Sequence, residues 1–227
     1  MRLHKFLLAA IAILSVAATA NADIVLFDFE NDGDAATPFG IALDTGPTFS
    51  GTMDGITFTA TATSTDGVTN PNSAGNGIGV NSSVAGDGNN SIDPGEVLTL
   101  TITFDPAEFE SVQLANIDLG NIGGATDGAN VTLTDGTNFD FHDTATAPAG
   151  FSFPGGPPDI ITVDRVNNPI EISSGQTLIF QTLAGQAVNQ DFRVQRISLH
   201  LTPAVPEPSS LAILGLLGGV VGIRRRR

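Results

Sequence analysis

Hydrophobic and polar residues alternate with a period of two along several stretches of this chain. Ile56, Phe58, Ala60 and Ala62 interleave with Thr57, Thr59, Thr61 and Thr63, and Leu98, Leu100, Ile102 and Phe104 with Thr99, Thr101 and Thr103. Successive side chains of a strand point to opposite faces, so this pattern predicts half-buried strands with threonine outward. β-branched threonine suits that outer face. Further strands are predicted over 24–29, 109–119, 130–134, 138–142, 160–163, 177–182 and 191–201. In the last of these, Phe192 and Val194 are out of phase with Ile197, Leu199 and Leu201. A β-bulge near Gln195-Arg196 returns all five to the core side. Asp54-Gly55, Asp66-Gly67, Asp135-Gly136 and Ser174-Gly175 are turn signals between the runs. The Gly/Asn/Ser-rich stretch 70–90 and the Pro-rich stretch 150–159 read as loops. No segment between them has a helical period. The expected fold is all-β: an antiparallel two-sheet β-sandwich, jelly-roll-like.

Both ends of the chain depart from this pattern. Arg2 and Lys5 precede an almost unbroken apolar run, Phe6 to Ala18, followed by Ala20-Asn21-Ala22. A basic start, a short apolar run and small residues at Ala20 and Ala22 predict a signal peptide over 1–22, cut by signal peptidase before Asp23. At the other end, Val205-Pro206-Glu207-Pro208 precedes the apolar run Leu211 to Ile223 and then Arg224 to Arg227. The prolines keep the first part extended and out of helices. The apolar run, with Gly215, Gly218, Gly219 and Gly222, rises about 20 Å as a helix at ~1.5 Å per residue. That is short of the ~30 Å hydrocarbon core, so the segment suits a transmembrane helix used in passing more than a permanent anchor. The four arginines stay cytoplasmic and leave the body outside. The domain plan is therefore 1–22 signal peptide, 23–204 β-sandwich and 205–227 C-terminal signal, with motif 205–208, apolar helix 211–223 and basic tail 224–227.

This tripartite tail resembles the PEP-CTERM sorting signal of Gram-negative bacteria. The resemblance covers about the last 23 residues, and it implies that an exosortase recognises Pro206, Glu207 and Pro208 and removes the apolar tail. It also implies export across the inner membrane, transient anchoring there, and release to the cell surface or an exopolysaccharide matrix. A weaker resemblance runs through Gly77-Ile78-Gly79-Val80, Asp87 and Ser91 to Leu100, a phrase seen in other exported bodies of this kind, and implies only the β-sandwich.

Charge then narrows the function. Between Asp23 and Ala204 there are 23 acidic residues and only Arg165, Arg193 and Arg196, so the body carries about −20 and no lysine. So acidic a body repels phosphate backbones, which excludes nucleic acid as a partner, and attracts cations. Cysteine is absent, which removes disulfides, thiolate metal sites and thiol catalysis. Trp and Tyr are absent too, so sugar stacking on exposed rings is left to Phe alone.

Searching for chemistry gives little. His142 and His200 are the body's histidines, and neither belongs to a G-x-S-x-G elbow or an H-E-x-x-H motif. The candidate metal site is for calcium: Asp87, Asn89, Asp93 and Glu96, hard oxygen ligands on a Gly-rich loop beside a strand. Its spacing is not that of an EF-hand, since Ile92 stands at the sixth position. Asp127 to Asp135 is a weaker acidic cluster. The expected function is non-enzymatic, a structural or adhesive surface or matrix protein. The alternative is a module binding extracellular polysaccharide, assisted by calcium. A secreted hydrolase, the third class, requires two convergent carboxylates in a deep cleft.

Overall fold

The computed structural model describes residues 23–29, 48–65, 70–73, 77–81, 91–120, 122, 128–142, 147–153, 160–186 and 191–204. The signal peptide with Ala20 and Ala22, the loop residues Asp87 and Asn89, the motif Val205 to Pro208, and the apolar helix and basic tail lie outside the described residues. Within them the chain is all-β, without helix. The strands are β1 (Asp23–Asp28), β2 (Thr48–Met53), β3 (Ile56–Ser64), β4 (Asn70–Ser73), β5 (Ile78–Asn81), β6 (Glu96–Thr103) and β7 (Phe109–Gly120). They continue with β8 (Gly128–Leu133), β9 (Asn138–His142), β10 (Phe151–Ser152), β11 (Ile160–Val163), β12 (Gln176–Thr182) and β13 (Arg193–Pro203).

Two antiparallel sheets result. One runs β10-β11-β7-β13-β5-β4, with β1 also on β13; the other runs β2-β3-β6-β12-β8-β9. Three pairings nest around the β8–β9 hairpin: β7 with β11, then β6 with β12, then β5 with β13. A long hairpin rolled over on itself gives this nesting, which is the jelly-roll order.

Alternation explains the core. In β6, Leu98, Leu100 and Ile102 are buried and the residues between them are not. Their partners in β3 and β12, among them Phe58, Ala60, Leu178 and Phe180, are buried in step. Across the sandwich, Phe27 of β1 meets Phe58 of β3 with ring centroids 4.4 Å apart. Phe141 of β9 meets Phe151 of β10 edge-on at 5.1 Å, joining the two sheets at another point. Each buried apolar side chain of this size contributes about 1.5–3 kcal/mol relative to exposure. With no disulfide, these contacts carry the fold.

The expected bulge in the last strand is present. Val194 pairs with Leu119 and Arg196 with Asp118, which leaves Gln195 as the extra residue. Phe192, Val194, Ile197, Leu199 and Leu201 are all buried as a result. Two expected loops need correction. The stretch 70–90 contains β4 and β5, because Pro71, Ile78 and Val80 are buried there. Pro71 lies in an edge strand, where a missing N–H costs no ladder bond. The stretch 150–159 contains β10, held by Phe151. The Asp54-Gly55 signal closes a two-residue hairpin between β2 and β3, with φ of 47° and 80° at its two central residues. Positive φ at both matches the hairpin turn whose twist suits paired strands.

Candidate functional site

Among the described residues, the outer surface of the β2-β3-β6-β12-β8-β9 sheet is the most distinctive. Its register stacks hydroxyl residues in rows. Ser50, Thr59, Thr101 and Thr177 are successive partners across β2, β3, β6 and β12, and the Thr177 and Thr134 hydroxyls are 2.8 Å apart. Thr48, Thr61 and Thr99 form the adjacent row. Thr52, Thr57 and Thr103 form a third, with Thr52 and Thr57 hydroxyls 2.7 Å apart. Side chains in such rows lie about 4.8 Å apart between strands and about 6.7 Å apart along a strand. Threonine χ1 is stiff, so methyls and hydroxyls are held in a fixed pattern.

The surface is also uncharged. From β2 through β8 its outward residues are Thr, Ser, Val, Ile, Gln and Asn; Asp140, on the edge strand β9, is the first carboxylate met. At that edge, Asn130 is buried and fully engaged. Its amide donates to Asn138 Oδ1 at 2.6 Å and Asp140 Oδ1 at 2.7 Å, and its Oδ1 accepts from Thr132 and Gln181 at 3.0 Å each. A body of about −20 thus keeps a broad neutral surface. The sequence marks these threonines as outward; their alignment into rows needs the register. The two runs of threonine at every second position were the available signal.

The calcium expectation is only partly covered. Glu96 opens β6 on its inward side and is 2 % exposed. Its Oε2 accepts from the Asp93 N–H at 3.0 Å, and the Glu96 N–H donates to the Asp93 carbonyl at 3.0 Å. The pair therefore closes the Asp93-Pro94-Gly95 turn, with Gly95 at φ 95°. Asp87 and Asn89 lie outside the described residues, and no group of three or more His, Cys, Asp or Glu among the described residues is placed to hold a metal.

Neither His142 nor His200 lies in a nucleophile motif. His142 ends β9 and is exposed. His200 lies in β13 between Ile24 of β1 and Gln113 of β7. Burial depresses the basicity of His200, and the Arg165 guanidinium depresses it further. Gln113 in turn donates to Glu171 at 2.6 Å. A shallow, open depression of about 370 Å³ at one end of the sandwich is lined by Thr134, Asp135, Glu171 and residues 173–176. The Thr137 N–H and hydroxyl hold Asp135 below the usual carboxylate range, the opposite of what a general acid requires. Asp127 of the weaker acidic cluster lies outside the described residues. Arg196, for its part, pairs with the buried Asp28 at 3.0 Å and ties β1 to β13.

Fold and surface together define an acidic two-sheet β protein with one neutral, hydroxyl-rich surface and an extension beyond its last strand. A family model for the PEP-CTERM protein-sorting motif matches residues 204–227, so that extension is a PEP-CTERM sorting motif. The motif implies export, an exosortase as processing partner, and transient membrane attachment through the C-terminal segment. No curated protein and no solved structure matches the chain.

Proposed function

We propose that this is a cell-surface or extracellular-matrix protein with a structural or adhesive role, delivered by its sorting motif and not an enzyme. The observation that carries the reading is the neutral threonine surface. On a body of about −20, long-range repulsion opposes contact with anionic surfaces and with other copies. A broad patch free of charge, such as this one, is where close contact costs least desolvation. Stiff side chains also lose little rotamer freedom on contact, which lowers the cost of binding. Its regular hydroxyls and methyls suit a repeating, uncharged, polyhydroxylated partner, which favours the second reading, a module binding neutral polysaccharide. The acidic loop around Asp93 and Glu96 makes calcium worth including in the test.

The test is retention of the secreted protein on a panel of neutral and acidic polysaccharides, with and without calcium. Wild type is expected to bind a neutral polymer, and Thr59→Glu with Thr101→Lys, an opposite-charge cross-strand pair, to lose that binding while unfolding as wild type does. Binding that survives the double substitution removes the threonine surface from the function. Binding to acidic polymers only in calcium moves the function to the acidic loops.

A further inference from the structure

The two ends of the sandwich differ. One end carries the turns Asp54-Gly55 between β2 and β3, 104–108 between β6 and β7 and 134–137 between β8 and β9, together with the longer connection 164–175 between β11 and β12. Strand β13 runs toward that end and finishes there. The Ala204 N–H donates to the Glu108 carbonyl at 2.9 Å, so backbone order extends to residue 204. The sorting-motif match begins at the same residue. Pro206 is two residues on, at most about 7 Å of extended chain. Strand β1 starts at this end as well, with Asp23 paired to Leu201. The signal-peptide junction and the sorting tail therefore leave the body side by side, on neighbouring strands about 4.8 Å apart.

We infer that this end of the sandwich is the surface presented to the membrane-embedded processing enzyme, and that the opposite end points away from the membrane while the tail is uncut. The inference rests on reading residues 204–227 as a sorting signal processed at the inner membrane. Its physical basis is a short tether: the six residues 205–210 between Ala204 and Leu211 reach at most about 22 Å, less than the length of the sandwich. Strand β13 is held between β7 and β1 from Arg196 to Leu201 and by β7 alone through Thr202 and Pro203, so its end cannot swivel without breaking ladder bonds to β7. An enzyme reaching Pro206-Glu207-Pro208 must then come up against the turns at Asp54-Gly55 and 104–108. The far end stands off by the length of β13, 11 residues or about 35 Å. Both tethers pull on one end, so β1 can pair with β13 before either is cut.

The chain has no cysteine, so single-cysteine variants report cleanly on position. Ala107→Cys and Thr137→Cys mark exposed sites at the tail end, and Thr65→Cys and Ala184→Cys mark exposed sites at the far end. Each full-length variant is expressed in a host without an exosortase, labelled with a fluorophore, and reconstituted in vesicles whose lipid headgroups carry a nitroxide quencher. Quenching several-fold stronger at 107 and 137 than at 65 and 184 is the expected result. A Gly/Ser insertion of about 20 residues between Ala204 and Val205, a flexible coil, is expected to abolish that difference. Equal quenching at all four sites in vesicle-held protein overturns the orientation and leaves the sorting reading intact. A difference that persists with the insertion also overturns it, because something other than the short junction then orients the body. Protein that does not stay with the vesicles overturns both.

Discussion

His200 shows what a single residue does on the outer side of β13. Its Nδ1 is buried and has no hydrogen-bond partner among the described residues. Desolvation and the nearby Arg165 both favour the neutral ring. The folded-state pKa is therefore below the unfolded value of about 6.5, so the unfolded chain binds more protons in that range. Stability is complete above the unfolded value and declines as pH falls through it toward the folded one. The expected outcome is that melting temperature drops between pH 7.5 and pH 5.5 by more in wild type than in His200→Gln, measured at constant ionic strength. Equal drops would mean that other groups carry the dependence. Asp164 works in the same sense but in a more acidic range. The Asn167 side chain and backbone N–H hold its carboxyl below the usual range, so its contribution is present at neutral pH and is lost only on strong acidification.

Among the elements, β13 is the one on which the fold depends most. It lies between β7 and β1, with β5 beside its first residues, and carries Val194, Ile197, Leu199 and Leu201 into the core. One extra residue, Gln195, keeps the two halves in phase, and its side chain lies where a Cβ on Gly120 would stand. Deleting Gln195 puts either Val194 or the three residues after it on the wrong face. Exposing three such side chains costs about 1.5–3 kcal/mol each, comparable to a domain's whole stability of about 5–15 kcal/mol. The expected outcome is a deletion variant without a cooperative unfolding transition in urea, whereas Gln195→Ala, which keeps the residue count, retains one. This bulge was legible because Phe192 and Val194 clash in phase with Ile197. The corresponding slip in β7 had the same signature, Val112 and Leu114 against Ile117 and Leu119, with Ala115 as the extra residue. Strands β2, β4 and β5 were not legible. They are short, and Ser, Gly, Asn and Pro interrupt their alternation, so only tertiary pairing defines them. The threonine rows were half legible: the sequence points the threonines outward, but only register aligns Thr59 with Thr101 and Thr177.

For the molecule as a whole, the sorting motif implies processing of the C-terminal segment at the membrane. We expect the mature protein in its native host to lack Leu211 to Arg227. Length is the first argument, since the apolar run spans about 20 Å as a helix against ~30 Å of hydrocarbon, and its four glycines weaken that helix further. Orientation is the second. The arginines are expected to halt translocation on the cytoplasmic side, which would hold Pro206-Glu207-Pro208 near the outer boundary of the inner membrane, in reach of a membrane-embedded protease. The fold supplies the third. The Ala204 N–H donates to the Glu108 carbonyl, and every described strand ends before Val205. Cleavage there leaves every described strand intact and turns an anchored chain into one free to leave the membrane, as for other removable C-terminal signals. Replacing Pro206-Glu207-Pro208 by Ala-Ala-Ala is then expected to leave export and folding unchanged and to strand the uncut chain in the inner membrane. Intact-mass measurement of protein from the surface and the medium decides the matter. A mass that still includes Arg227 in the released protein would show that the tail is not removed and that release has another cause.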